Sequence, residues 1–331
     1  MNYIGSKYRL LPFIQETIFQ TIGNTHGMIY AELFAGTGIV SRAFKQHVKL
    51  IIINDLEFYS FVINRNYIGN HICFEYHDLI DNLNNLPGIE GKIYNDYCLG
   101  GGTGRQYFSD ENGKRIDVIR QMIESWKSNQ TINDDQYYFL LASLLESADK
   151  IANVASVYGA YLKHLKKSAQ KPLVLRAAEF EPTVHMHHVY QQDANELVQN
   201  ISGDILYLDP PYNARQYGAN YHLLNTIAIY DDFIPKGKTG LRAYNRSEYC
   251  KRGKVETAFE DLIRHAKFSY IFLSYNNEGL MSVEQVKAIM SKYGQYSLKT
   301  KKYQRFKADK DSNRNYKADS TEEHLHVLLK G

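Results

Sequence analysis

The stretch "MIYAELFAGTGIVSRAFKQHVKLIII" (residues 28–53) decides the fold. "MIYAELF" is apolar and β-prone, "AGTG" is a turn, "IVSRAFKQ" is helical in pattern, and "KLIII" is a short buried strand. Strand, glycine turn, helix, strand is the unit from which parallel sheets are built. Later apolar runs extend the series: "DILYL" (204–208), "SYIFLSY" (269–275) and "HLHVLL" (324–329). Short apolar strands separated by helical stretches predict an α/β fold, a mixed sheet with helices on both faces.

Residues 71–188 break that rhythm. "NDYCLGGGTGRQYFSDENGKR" (95–115) is rich in Gly and polar residues and predicts a hairpin or mobile loop. "DDQYYFLLASLLESADKIANVASVYGAYLKHLKKS" (134–168) is rich in Ala and Leu and predicts one long helix. The expected organisation is therefore a sheet domain, 1–70 and 189–331, interrupted by a mostly helical insertion, 71–188. Two local patterns carry no chemistry. "GGGTGR" (100–105) lacks the Gly-Lys-Ser/Thr ending of a phosphate loop, and "HMHH" (185–188) has no acid or cysteine at metal-ligand spacing, so no metal is expected.

Composition narrows the class. The 331 residues are 44% hydrophobic and 23% charged, an ordinary globular balance that can bury a large core. No apolar run approaches the roughly 18 residues of a membrane span, and the N-terminus has no signal-peptide pattern. The three cysteines have neither zinc nor disulfide spacing, which fits a reduced compartment. Net charge is only +3, yet "PKGKTGLRAYNRSEYCKRGK" (235–254) and "KKYQRFKADKDSNRNYK" (301–317) each hold seven Lys or Arg, interleaved with aromatic residues. Two such stretches point to a phosphate backbone as partner.

Two strand ends carry the chemistry. Glu32 closes the first strand, and Gly36 and Gly38 form the turn behind it, where glycine lets a ligand approach the backbone. The helix behind the turn offers unpaired N–H groups. Asp55 ends the next strand, the position at which doubly wound sheets place an acid on ribose hydroxyls. The pattern is not the three-glycine dinucleotide fingerprint, so an adenosine with an uncharged or zwitterionic tail fits better than a pyrophosphate; S-adenosylmethionine is such a molecule. The second strand end is "GDILYLDPPYNARQY" (203–217). Asp209 and the Pro210 carbonyl are pure acceptors suited to an exocyclic amino group, two prolines keep them aimed, and Tyr212 supplies a face for a planar base.

These residues resemble the adenine-N6 DNA methyltransferases of the D12 class. The catalytic Asp-Pro-Pro-Tyr is found as Asp209–Tyr212, and the cofactor motif Phe-x-Gly-x-Gly as Phe34, Gly36 and Gly38. "NYIGSK" (2–7) is similar to the N-terminal element that contacts the methionine end of the cofactor, which implies Gly5, Ser6 and Lys7 as cofactor residues. "QQDANEL" (191–197) looks like the segment whose acid, Asp193, holds the cofactor's adenine amino group. Motif order is the family's own, with the insertion as target-recognition region and a Rossmann-like methyltransferase sheet.

The resemblance implies methyl transfer from S-adenosylmethionine to N6 of an adenine flipped out of duplex DNA. Asp209, Pro210 and Tyr212 would form the catalytic set, with no metal. It further implies a restriction-modification setting in a bacterial or phage-encoded cytoplasmic protein, with room for a separately acting cognate endonuclease and no need of an oligomer. Methylation of RNA adenine or of a protein glutamine amide uses the same motif, as would a catalytically silent DNA-binding subunit. Arg215, Tyr217 and Tyr221 either line the base pocket or pack the following helix.

Overall fold

In the computed structural model, which describes residues 7–304 and 320–331, seven strands form one sheet. They are β1 (Ile29–Glu32), β2 (Leu50–Asn54), β3 (His188–Tyr190), β4 (Ser202–Leu208), β5 (Lys267–Asn276), β6 (Gly294–Gln304) and β7 (Ser320–Lys330). Their order is β3-β2-β1-β4-β5-β7-β6. β7 runs antiparallel to β5 and β6, and the other pairs are parallel. The mixed α/β sheet is as expected. β3 and β6 were not foreseen: β3 has three residues, and β6 is a lysine-bearing edge strand, "GQYSLKTKKYQ", whose charges discourage pairing with another chain.

The chain divides into two compact units. The first, residues 7–56, 185–216 and the described part of 245–331, holds the whole sheet. Its central strands are buried on both faces, which is why they read as continuous apolar runs rather than alternating ones. On one face, Ala31, Leu33, Leu206, Leu208, Ile271 and Leu273 pack with Phe259, Leu262 and Ile263 of helix Val255–His265. Val255, Phe259, Leu262 and Ile263 follow helical spacing, and burying each stabilises the unit by about 1.5–3 kcal/mol. Lys330 ends that helix by donating to the Ile263, Arg264 and Ala266 carbonyls at 2.8, 2.9 and 2.6 Å. Toward the other face, Tyr30 of β1 stacks on Phe44 with ring centroids 5.0 Å apart, and Phe44 meets Phe19 of helix Leu11–Ile22 at 5.6 Å.

The second unit, residues 57–184 and 217–244, is helical. Helices Asp110–Ser128 and Asp134–Ile151 supply Ile116, Ile119, Phe139, Leu140 and Leu144 to a core completed by Leu223, Leu224 and Ile227. The buried carboxylate of Asp117 accepts from the Gly91, Ile93 and Tyr94 N–H groups at 3.1, 2.8 and 2.8 Å, capping helix Lys92–Tyr97. The unit boundaries therefore fall at 56 and 185 rather than 70 and 189, and residues 217–244 join this unit because Leu223, Leu224 and Ile227 belong to its core.

Two local expectations are corrected. The long helix expected over 134–168 ends at Ile151. Asn153, fully buried, donates to the Gln106 and Leu162 carbonyls, both at 2.9 Å, and accepts from Lys166 N at 3.0 Å, so the chain folds around its amide instead of continuing. The loop expected over 95–115 becomes helical from Asp110, where Ser109 caps the start by accepting from Asn112 N at 3.3 Å. No helix among the described residues is long and apolar enough to cross a membrane.

Candidate active site

Sheet topology brings the two chemical motifs together. β1 and β4 are neighbours, with Glu32 opposite Tyr207. β1 leads outward to β2 and β3, whereas β4 leads the other way to β5. That reversal is the switch point at whose carboxyl edge open α/β sheets bind ligands. The turn after β1 and the Asp-Pro-Pro-Tyr after β4 both begin there.

Gly36 and Gly38 have φ of 51° and 66°, left-handed values that a side chain would strain. Gly38 N closes the turn on the Ala35 carbonyl at 2.7 Å. Asp55 reaches back from the end of β2 and accepts from Gly36 N at 2.7 Å, so it braces the turn as well as occupying the expected place after the strand. Asn54, buried, ties three strand ends: its amide donates to the Leu33 and Gln192 carbonyls at 3.1 and 3.0 Å and accepts from Gln192 N at 2.9 Å. The helix behind the turn, Ile39–Phe44, is short, and its N–H groups are not all free as expected. Ser41 N and Oγ both donate to Glu32 Oε2, the former at 2.9 Å. Burial pushes the Glu32 carboxyl up to about 8, although the Ser41 donors favour its ionised form.

Beside this lies the end of β4. Lys7 places its ammonium 2.9 Å from Asp209 Oδ1 and 3.2 Å from Glu323 Oε1 of β7, and Ser274 of β5 donates to the same Glu323 oxygen. The Lys7 and Glu323 side chains are 6% and 3% exposed, that of Asp209 19%, so Asp209 is the reachable member of the network. Burial raises the Asp209 carboxyl to about 6, with Lys7 opposing the rise and Glu323 adding to it. For Lys7, burial disfavours the charge, but Asp209, Glu323 and Tyr207 together hold it well above its ordinary value. Pro210 is buried. Tyr212 is half-buried, and its carbonyl accepts from Leu280 N at 2.9 Å, which fixes the loop that presents its ring.

Phe34 meets the ring of Tyr249 edge-on at 4.8 Å, and the Tyr249 hydroxyl donates to Asn195 Oδ1 at 2.8 Å. Asp193 is exposed and caps helix Ala194–Leu197, accepting from Asn195 N and Glu196 N at 2.8 and 3.3 Å. Gly5 and Ser6 lie outside the described residues, as does the basic stretch beyond residue 304. Of the three residues whose role the sequence left open, Arg215 is exposed, and Tyr221 is fully buried against Tyr59 and Tyr158 in the helical unit's core. Tyr217 stacks on Tyr221 at 6.1 Å. His187 Nδ1 accepts from Ile51 N at 3.1 Å, a structural use of the histidine-rich stretch. Among the described residues no cluster of three His, Cys, Asp or Glu could hold a metal ion.

Glu323, Ser274, Asn54 and Tyr249 were not singled out in the sequence. Asn54 alone carried a signal, as the polar end of "IIIN" directly before Asp55. The others reach the site from distant strands or helices, without a motif.

Comparison with known proteins gives the family. A model of the D12 class N6 adenine-specific DNA methyltransferases matches residues 3–289. The Type II methyltransferase M.NlaIII of Neisseria lactamica is 61% identical over 332 residues, covering 100% of this chain and 99% of its own. The Type II methyltransferase M.CviAII of Paramecium bursaria Chlorella virus 1 is 38% identical, covering 93% of each chain. The Type II methyltransferase M.FokI of Planomicrobium okeanokoites is 36% identical and covers 99% of this chain but 52% of its own.

Proposed function

The chain belongs to the D12 class of N6 adenine-specific DNA methyltransferases, and from that premise we propose that Asp209, the Pro210 carbonyl and Tyr212 receive a flipped-out adenine while the turn around Gly36 and Gly38 holds S-adenosylmethionine. The observation that carries this division is the register of β1 and β4, which starts the glycine turn and Asp209 from neighbouring strand ends. S-adenosylmethionine, when bound, supplies an electrophilic methyl group on a cationic sulfur.

The donor set fits that group. Two left-handed glycines leave the backbone open, and Asp55 and Asp193 offer carboxylates on the β2 and β3 side. Among the described residues Asp209 and Glu323 share the one Lys7 ammonium, so that network has surplus negative charge to offer a cation. Phe34, whose ring meets that of Tyr249, is proposed to border the adenosine. Gly5, Ser6 and Lys7 remain the proposed contacts for the methionine end, with Lys7 already engaged by Asp209.

An adenine paired in a duplex hides N6, so the base is extruded at a cost of a few kcal/mol. Tyr212 stacks on it. Asp209 and the Pro210 carbonyl accept from the two N6 hydrogens and turn the nitrogen lone pair toward the methyl group. Asp209 does not need to deprotonate N6 beforehand; it aligns the nitrogen and stabilises the positive charge that would develop there as the N–C bond forms and the C–S bond breaks, leaving a neutral thioether. The methylated nitrogen would then give up one of its protons to water. The insertion 71–188 is proposed to read bases, and the basic stretches to follow phosphates. The relatives are named as type II methyltransferases, which supports a restriction-modification setting; that an endonuclease acts separately and that no oligomer is required are part of the proposal.

The roles separate in a paired assay of cofactor binding and single-turnover methyl transfer. Asp193→Ala is expected to weaken S-adenosylmethionine binding about tenfold, roughly the worth of one charge-assisted hydrogen bond, while saturated turnover stays near normal. Tyr212→Ala is expected to do the reverse. The opposite split would overturn the assignment.

A further inference from the structure

On the far side of the Lys7 ammonium from Asp209 lies a carboxylate that does more than add charge. Glu323 is 2% exposed, on a strand antiparallel to its neighbours, held by the Ser274 hydroxyl and 3.2 Å from the Lys7 ammonium that touches Asp209. We propose that Glu323 is a positioning residue for methyl transfer: by holding the Lys7 ammonium from behind, it fixes the side from which Lys7 pairs with Asp209 and leaves the rest of that carboxylate able to accept from N6. The inference rests on Asp209 being the N6 acceptor.

The argument is one of shared donors. An ammonium has three N–H donors and no directional preference beyond them. Facing Asp209 alone, Lys7 would settle on whichever carboxylate oxygens gave the tightest pair and compete with the amino group for them. Glu323 removes that freedom. Its own oxygen is pinned by Ser274 from β5, so the ammonium sits between a fixed anion behind and Asp209 in front. Lys7 then fixes the orientation of Asp209 while the charge it lends is divided.

A purely structural alternative is that Glu323 only neutralises a buried lysine. The two differ in what they do to Asp209. Among the described residues, the ionisable groups facing Asp209 are Lys7 from the N-terminal segment, Glu323 from β7, Glu32 from β1, Tyr207 from β4 and Tyr212 from its own loop. Glu32, with its carboxyl near 8, is protonated around neutrality, and burial keeps both tyrosines protonated. Lys7 and Glu323 therefore dominate, with opposite signs. Their oxygens bracket one nitrogen at 2.9 and 3.2 Å, which puts the two carboxylates at most about 6 Å apart. Like charges at that separation displace a titration by about half a unit to two units between fully aqueous and protein-like screening.

The test is the acid limb of kcat/KM for unmethylated DNA, measured from pH 5 to 8.5 in wild type, Glu323→Gln and Lys7→Met, with kcat recorded at pH 7.5. Glutamine matches glutamate in shape and still accepts from Ser274. The expected result is a limb moved to lower pH by about half a unit to two units in Glu323→Gln, with kcat reduced roughly tenfold or more by the misplaced ammonium. In Lys7→Met the limb moves to higher pH. An unmoved or raised limb in Glu323→Gln, or a kcat within twofold of wild type, overturns the proposal. If circular dichroism shows Glu323→Gln unfolded, Ser274→Ala is read instead: it loosens Glu323 without removing its charge, so a reduced kcat with an unmoved limb is expected, and an unchanged kcat overturns the proposal. Wild type that forms no N6-methyladenine would refute the underlying reading rather than this one.

Discussion

Glu32 gives the fold a pH dependence that one substitution should remove. Its carboxyl is 2% exposed and pushed by burial from 4.5 to about 8. A raised folded-state value means that the stability belonging to this group is intact below the unfolded value and lost as pH rises through the folded one. Below about 4.5 both states are protonated. Between 4.5 and 8 only the unfolded chain ionises, and each pH unit costs the native state about 1.4 kcal/mol; above 8 both ionise and the loss levels off. Between pH 5 and 9 the cumulative loss is on the order of 4 kcal/mol. Glu32→Gln cannot ionise, yet its side-chain oxygen can still accept from Ser41 N and Oγ. Urea unfolding of both proteins at pH 5, 7 and 9 should show the variant gaining on wild type steadily, by about 4 kcal/mol across the range. Comparing the two proteins at each pH cancels titrations they share. A difference that is flat, or that falls with pH, would mean Glu32 is ionised in the native state, and the charge balance drawn around Asp209 would be wrong.

Other expectations are simpler to test. Gly38→Ala places a side chain at φ 66°, costing roughly 1–2 kcal/mol of stability and weakening S-adenosylmethionine binding measured by calorimetry; stability unchanged would refute the strain argument. Lys236 and Lys238 are exposed on a hairpin whose Gly237 and Lys238 carbonyls accept from Arg105 at 3.1 and 3.3 Å. Replacing both with Ala should lower the salt slope of DNA binding by about two, with maximal turnover unaffected; an unchanged slope removes this hairpin from the interface. Phe259→Ala should cost about 3–5 kcal/mol through its cavity while leaving cofactor affinity in the folded fraction unchanged.

The parts of this structure that were legible in the sequence are those where local pattern and tertiary demand coincide. The central strands are buried on both faces, so β1, β2 and β4 advertise themselves as apolar runs, and the turn needs φ values only glycine accepts easily, so Gly36 and Gly38 stand out. Asp209–Tyr212 was legible because rigid acceptors beside an aromatic ring have few structural uses. What escaped depends on contacts remote in sequence. Helicity after Ile151 is overridden by the buried amide of Asn153, which nothing in the Ala-rich pattern announces. Glu323 becomes a partner of Lys7 only because β7 inserts antiparallel beside β5, and Ser274 meets it for the same reason. The resemblance implies Lys7 as a cofactor contact, yet the acids that Lys7 meets are Asp209 and Glu323, a pairing that no linear spacing encodes.

The central claim, that Asp209 directs adenine N6 at the methyl group of S-adenosylmethionine, is tested most directly by transfer of labelled methyl to unmethylated genomic DNA. Wild type and Asp209→Ala would be run in parallel, with RNA and protein as alternative acceptors and the products resolved as nucleosides or amino acids. The account predicts label in N6-methyladenine from DNA, lost in Asp209→Ala by at least about a hundredfold, with cofactor binding retained. Label in RNA or protein in place of DNA, or near-normal DNA methylation by Asp209→Ala, would contradict it.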